Sequence, residues 1–148
     1  MPEKKTIERA KKDAREGKSA STQAGEFVRE EIHHIREGKH GAKNAKQAIA
    51  IGLSKARRSG VKLTAPKKGT AKKSTRKQAK RDLAKGKSGG SKRTSAKRSR
   101  ASTKALKRQP RSAASSRALS RHAHKAAPRA RRTRASNTRS GAHKRVSR

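Results

Sequence analysis

Apolar side chains recur every three or four residues along the first 65 residues of the chain. This spacing places them on one face of an α-helix, where they can be buried against a neighbouring element. The stretch from Ala24 to Ile35, with Phe27 and Ile32 between them, shows the repeat most clearly. The pattern predicts three helices, over about residues 6–16, 22–37 and 44–59.

The residues at the ends of these three segments agree with the prediction. Gly17, Gly38 and Gly60 follow them, and glycine is favoured where a helix ends in a left-handed residue. Asn44 precedes the third segment, and its side chain is of the type that caps helix N-termini. We therefore expect a small all-α N-terminal module of about three short helices in residues 1–65.

Large apolar residues become rare after Pro66, where only Leu83, Leu106, Leu119 and Val146 remain. A chain with so little apolar surface and so much charge cannot offset the entropy lost on ordering. Residues 79–88 repeat much of the sequence of residues 10–19, which leaves room for a short helix near residues 75–85. Apart from that helix, we expect residues 66–148 to be a long intrinsically disordered basic tail.

Charge divides the chain at the same point. The 148 residues hold 46 Lys and Arg against 9 Asp and Glu, a formal net charge of +37. Residues 1–65 carry 16 basic and 8 acidic residues, a net charge of +8, whereas residues 66–148 carry 30 basic residues and Asp82 alone, a net charge of +29. A segment with this imbalance has no internal partner for its charge, and polyanions are its natural ligands.

Nucleic acid is the polyanion that the composition favours. Duplex DNA carries one negative charge per about 1.7 Å, so thirty basic residues match roughly 50 Å of duplex, or about 15 base pairs. The tail has no aromatic residue on which single-stranded bases would stack, which favours duplex DNA over single strands. A tail without fixed structure has no rigid element to read base edges, so sequence preference should be poor.

The residues expected to contact nucleic acid are mostly Lys and Arg of the tail. They are Lys67, Lys68, Lys72, Lys73, Arg76, Lys77, Lys80, Arg81, Lys92, Arg93, Lys97, Arg98, Arg100, Lys107, Arg108, Arg129, Arg131, Arg132, Arg134, Arg139, Lys144 and Arg145. Further contacts from the third helix are candidates at Lys46, Lys55, Arg57 and Arg58. Ordinary solubilising charges explain Lys43, Lys46 and Lys55 equally well.

The sequence offers little for catalysis. It has no cysteine, which excludes disulfides, thiolate nucleophiles and cysteine zinc sites. Nothing places one of its many serines beside a histidine, and Lys18-Ser19 and Lys87-Ser88 lack the earlier glycine of a phosphate-binding loop. We expect a protein that is not an enzyme and needs no cofactor.

His33, His34 and His40 lie near Glu30, Glu31 and Glu37 in the sequence, and both residue types can bind metals. Glu30 and His34 share a helix face, but no second histidine follows at the same spacing. His40 lies beyond Gly38, where the helix should stop. The spacing therefore favours ordinary polar residues on an exposed helix over a metal site.

Residues 8–63 resemble a domain of unknown function found in a family of small bacterial proteins. The resemblance rests on residues 15–18 (REGK), 22–32 (TQAGEFVREEI), 36–41 (REGKHG) and 46–58 (KQAIAIGLSKARR). It covers a little over a third of the chain and implies relatives rather than an activity. The tail is similar in composition to bacterial histone-H1-like proteins, and this similarity implies a DNA-binding protein of the nucleoid.

The sequence thus predicts a nucleoid-associated, cytoplasmic protein that binds DNA with little sequence preference and coats or compacts it. No apolar run is long enough to span a membrane, and no secretory signal follows the N-terminus. An RNA-binding or ribosome-associated protein remains an alternative, as does a protein-interaction module that its basic tail localises. The core of residues 1–65 is thin, so a homo-oligomer formed through the N-terminal helices is a further option.

Overall fold

The computed structural model describes residues 2–89 and 95–127, and all regular secondary structure in these ranges is helical. The expectation of a helical protein is therefore confirmed. The α-helices are α1 (Lys4–Arg15), α2 (Ala20–Arg36), α3 (Ala45–Arg58), α4 (Lys73–Lys87) and α5 (Ala96–Lys107), and a 3-10 helix, η1, spans Arg111–Ala114. Residues 116–127 are also helical.

The expected fold, three short helices followed by a long disordered tail, is wrong. Helix α4 covers the region near residues 75–85 where a short helix was expected to be possible, but α5, η1 and the helical residues 116–127 lie in the segment that was expected to be disordered. The expectation was based on the scarcity of large apolar side chains, but the side chains that this segment buries are small or polar. Among its described residues, the buried ones are Ala79, Asp82, Ala113 and Ala114. Residues 90–94 and 128–148 of the expected tail lie outside the described ranges.

Local sequence explains where the central helices begin. The hydroxyl of Ser19 accepts a hydrogen bond from the Thr22 N–H and caps α2. The side chain of Asn44 accepts one from the Gln47 N–H at 2.9 Å and caps α3. Each cap satisfies a backbone donor that has no partner within its helix.

The core consists of two clusters, which lie towards opposite ends of the α2–α3 pair. In the first, Phe27 of α2 packs with Ala10 of α1, Ala56 of α3 and Val61. The second joins α2 and α3 to η1, and its buried members are Ile32, Ile35, Ala42, Ala48, Ala113 and Ala114. The second cluster is thus completed by residues far beyond the first 65.

Helix α4 is held against α3 by its only acidic residue. Asp82 is fully buried and accepts hydrogen bonds from Ser54, from the Arg58 guanidinium at 2.7 Å and from Gln78 at 3.0 Å. Near the end of α4, Gly86 lies so close to the carbonyl of Arg57 that a Cβ atom would overlap it. A single carboxylate and a glycine contact thereby dock a helix that is otherwise dominated by lysine and arginine.

The segment around η1 is tied to the loop between α2 and α3 by backbone hydrogen bonds. The N–H of Gly41 donates to the Leu106 carbonyl at 3.0 Å, and the N–H of Ala42 donates to the Pro110 carbonyl at 3.2 Å. The Arg36 guanidinium donates to the carbonyl of Ala114 at 2.9 Å. These bonds fix the C-terminal end of α5 relative to the N-terminal helices.

Candidate nucleic-acid interface

The acidic residues of the N-terminal helices are largely neutralised within the protein. Lys18 lies 2.8 Å from Asp13 and 2.7 Å from Glu16, and these contacts raise the pKa of Lys18 and lower that of Glu16. Other pairs join Glu26 to Arg9, Glu37 to Lys39 and Glu31 to Lys55. The surface of α1 to α3 therefore carries charges of both signs.

Helix α4 presents a different surface. Ala79 and Asp82 face α3, and the opposite side carries the exposed residues Lys73, Lys77, Lys80 and Arg81. Lys77 lies four residues after Lys73, and Lys80 and Arg81 lie three and four residues after Lys77, so the four form one stripe along the helix. Among the described residues, none of the four forms an ion pair. We call this stripe the α4 basic face.

Helix α5 is exposed on all sides. None of its twelve residues is buried, and its basic residues are Lys97, Arg98, Arg100, Lys104 and Lys107. An open groove runs along it, lined by Ser99, Arg100, Thr103, Lys104, Lys107 and Arg108. The groove combines guanidinium and ammonium groups with hydroxyls, and all three kinds of donor hydrogen-bond phosphate oxygens.

The structure places most of the tail residues expected from the sequence on the surface. The exposed ones are Lys67, Lys68, Lys72, Lys73, Lys77, Lys80, Arg81, Lys97, Arg98, Arg100, Lys107 and Arg108, and Arg76 is half-buried. Lys92, Arg93, Arg129, Arg131, Arg132, Arg134, Arg139, Lys144 and Arg145 lie outside the described ranges. Lys104 is not among the residues predicted from the sequence. It lies one turn after Arg100 and one turn before Lys107, and this spacing would have identified it.

The four candidates on α3 have different environments. Lys46 is exposed and unpaired within the described part of the chain. Lys55 lies 2.6 Å from Glu31, and Arg58 is paired with Asp82.

Arg57 is buried, and it donates hydrogen bonds to the carbonyls of Leu63 and Thr64. Desolvation lowers the pKa of its guanidinium, although the charge of Asp82 opposes the shift. The side chain ties the segment after α3 to the helix, so Arg57 has a structural role and does not belong to the exposed basic surface.

Comparisons with known proteins add no functional information. No protein-family model, curated protein or solved structure matches the chain. Within residues 2–89 and 95–127, no helix combines the length and apolar character that crossing a bilayer requires. The distribution of charge over the helices is therefore the main indication of function.

Proposed function

We propose that the protein is a non-enzymatic, nucleoid-associated protein that binds duplex DNA with little sequence preference. The supporting observation is the separation of charge: most acids of α1 and α2 are paired with cations, whereas the α4 basic face and α5 expose cations without acidic partners among the described residues. Each phosphate that such a cation contacts releases condensed counterions, and this release favours binding.

Helical structure in this region changes how the contacts would be made. An α-helix of twelve residues is about 18 Å long, and its side chains lie at fixed intervals. Helix α5 has the dimensions that the DNA major groove accepts, and its exposed surface permits approach from several sides. Lys and Arg contacts to phosphates position the protein without reading sequence. Arg-rich residues 128–148 add further positive charge.

The test compares two variants of equal net charge. One replaces Arg98, Arg100, Lys104 and Lys107 of α5 with Gln, and the control replaces Lys4, Lys5, Lys11 and Arg15 of α1, which are also exposed. Binding of each full-length chain to a fluorescent DNA duplex is measured by anisotropy across a salt series. The α5 variant should lose about one unit of log–log salt slope per phosphate contact removed, whereas the control should stay close to the wild type.

Equal losses in both variants would show that net charge alone, and not α5, determines affinity. A duplex RNA of the same length is titrated in parallel. Tighter binding to RNA than to DNA at every salt concentration would replace the proposal with an RNA-binding function. Circular dichroism checks that the substituted helices remain folded.

A further inference from the structure

A cluster of buried carboxylates and half-buried imidazoles lies near the C-terminal end of α2. It consists of Glu30, Glu31, His34 and His40, and we call it the α2 polar cluster. The side chains of Glu30 and Glu31 are 3% and 0% exposed, and those of His34 and His40 are 13% and 15% exposed. Four titratable groups in so little solvent need compensating interactions.

A tight turn brings His40 into the cluster. After α2 ends at Arg36, Gly38 adopts a φ of 78°, which reverses the chain. The N–H of Gly38 donates to the carbonyl of Ile35, and the N–H of Lys39 donates to the carbonyl of His34. This is the Schellman pattern of a helix C-terminus. It returns His40 alongside the helix, so a residue beyond the helix end joins residues of the helix itself.

The ligand atoms are close enough to share one ion. One such atom from each of Glu31, His34 and His40 lies within 4.8 Å of the others. Zinc bonds of about 2.0–2.1 Å in a tetrahedron place ligand atoms about 3.3 Å apart, so only small side-chain movements are needed. Oε1 of Glu31 is already 3.1 Å from Nε2 of His40. Oε1 of Glu30 lies 3.9 Å from Nδ1 of His34 and can supply a fourth ligand.

The carboxylates of the cluster are short of hydrogen bonds. Oε1 of Glu30 and both carboxylate oxygens of Glu31 are buried, and none of them has a well-directed hydrogen-bond donor among the described residues. Nζ of Lys55 is 2.6 Å from Oε2 of Glu31, so charge is partly balanced even though the geometry is poor for a hydrogen bond. At this distance Lys55 and Glu31 form an ion pair. Because the ammonium group does not point at the carboxylate as a hydrogen-bond donor should, both carboxylates keep acceptor capacity for a cation.

The partners of His34 orient it for coordination. Its Nε2 lies 2.9 Å from Oε1 of Glu3, which is the geometry of an Nε2–H donating to a carboxylate. This hydrogen bond is the main cause of the lowered pKa of Glu3. An imidazole that donates from Nε2 keeps the lone pair of Nδ1 free, and metal-bound histidines are commonly held this way by an outer carboxylate. The backbone N–H of Glu3 also donates to Oε2 of Glu30.

We propose that the α2 polar cluster binds one divalent transition-metal ion of the zinc class. Nδ1 of His34, Nε2 of His40 and Oε1 of Glu31 are the ligands, and Glu30 completes the set. Imidazole ligands favour zinc and its neighbours over magnesium or calcium, which prefer oxygen alone. The ion would link α2 to the turn after it and, through Glu3, to the start of α1. Its role is therefore structural, and it does not depend on the proposed DNA binding.

Calorimetric titration of the metal-free, full-length protein with zinc chloride tests this site. We expect one tight equivalent and a rise in melting temperature with zinc, because an ion that binds only the folded state stabilises it. His40→Ala and Glu31→Gln should each weaken binding by about tenfold or more, since even the loss of an outer partner has such an effect. His33→Ala, an exposed neighbour on α2, should bind zinc like the wild type.

A measurement on the unaltered chain protects the test against variants that fail to fold. In NMR spectra, zinc should shift the imidazole signals of His34 and His40 and leave that of His33 in place. His122 and His124 provide a competing pair on the helical residues 116–127. The proposal is overturned if zinc does not bind saturably, or if only the signals of His122 and His124 move and their double substitution abolishes binding.

Discussion

Gly52 of α3 lies against the backbone of α2 at the point where the two helices are closest. A Cβ atom at this position would be 2.6 Å from the Cα of Val28 and 3.0 Å from the carbonyl oxygen of Phe27. Neither atom belongs to a flexible side chain, so the helices themselves would have to separate. Gly25, in the interior of α2, has no atom within 4 Å of the same added position. The two glycines form a matched pair.

We predict that Gly52→Ala lowers the free energy of unfolding by about 1–3 kcal/mol, which is typical of an overpacked core. Gly25→Ala should raise it by about 0.5–1 kcal/mol, because alanine is the better helix former where space allows. Urea denaturation followed by circular dichroism measures both changes. If Gly52→Ala proved as stable as Gly25→Ala, the close approach of α2 and α3 would be incorrect.

At the residue scale, the ends of the helices could be predicted from the sequence, whereas contacts across turns could not. Asn44 caps α3 and Gly38 ends α2, because these roles depend on the residue type and its immediate neighbours. The proximity of His40 to Glu31 could not be predicted, because it does not depend on immediate neighbours. Helical spacing excludes a residue beyond the helix end, but the turn at Gly38 brings it back. Which side of the helix it then faces depends on packing that no local pattern contains.

At the scale of elements, α4 shows how a strongly basic helix can be docked. Its apolar contribution is small: Ala79 is buried and Leu83 is half-buried. Asp82 provides the specific interaction, with donors from two residues of α3 and from Gln78. Hydrogen bonds to a charged group are stronger than neutral ones, and a buried charge left without partners is costly. The carboxylate therefore orients α4 as well as holding it.

We expect Asp82→Ala to destabilise the protein by about 2–3 kcal/mol, because three hydrogen bonds to a buried carboxylate are lost together. Lys80→Ala, an exposed change two residues earlier on the same helix, should have an effect within about 0.5 kcal/mol. Thermal and urea unfolding measure both variants. Amide hydrogen exchange adds a local reading: protection should fall first in α4. Equal stability of the two variants would mean that Asp82 does not anchor the helix.

The elements themselves were predictable to different degrees. Helices α1 to α3 lie close to the segments that apolar periodicity marked, because large side chains alternate there with polar ones. Helix α4 covers residues 75–85, where the internal repeat had left room for a helix. Helices α5 and η1 were not expected. Their sequences contain almost only Ala, Ser, Thr, Lys and Arg, so no apolar stripe distinguishes a docked helix from a solvated chain.

At the scale of the whole molecule, the net charge changes sharply near residue 65, whereas the packed core continues past that point. Acidic residues concentrate in α1 and α2, where they pair with cations and where the α2 polar cluster lies. The charged residues of the C-terminal half are nearly all basic, yet this half supplies Asp82, Ala113 and Ala114 to the packed interior. The boundary near residue 65 is therefore a boundary in charge, while the core extends across it. The overall charge of +37 also means that the folded chain repels itself, which destabilises the compact state.

This arrangement predicts how shortened chains will behave. A chain ending at residue 65 lacks Asp82, which docks α4 on α3, and it lacks Ala113 and Ala114, which fill the second core cluster. It also loses the carbonyl that accepts the Arg36 hydrogen bond. With so small a core remaining, we expect it to unfold without a cooperative transition, whereas a chain ending at residue 127 should keep one.

Thermal denaturation followed by circular dichroism and by calorimetry distinguishes the two chains. The chain ending at residue 127 is the control, and it should keep a cooperative transition because it retains both core clusters. Its midpoint serves as the reference. A chain ending at residue 65 that melted cooperatively at the same midpoint would show that α4 and η1 are attached to a module already complete. Loss of cooperativity would instead establish that the lysine- and arginine-rich segment after residue 65 completes the fold, because Asp82, Ala113 and Ala114 of that segment lie in the interior.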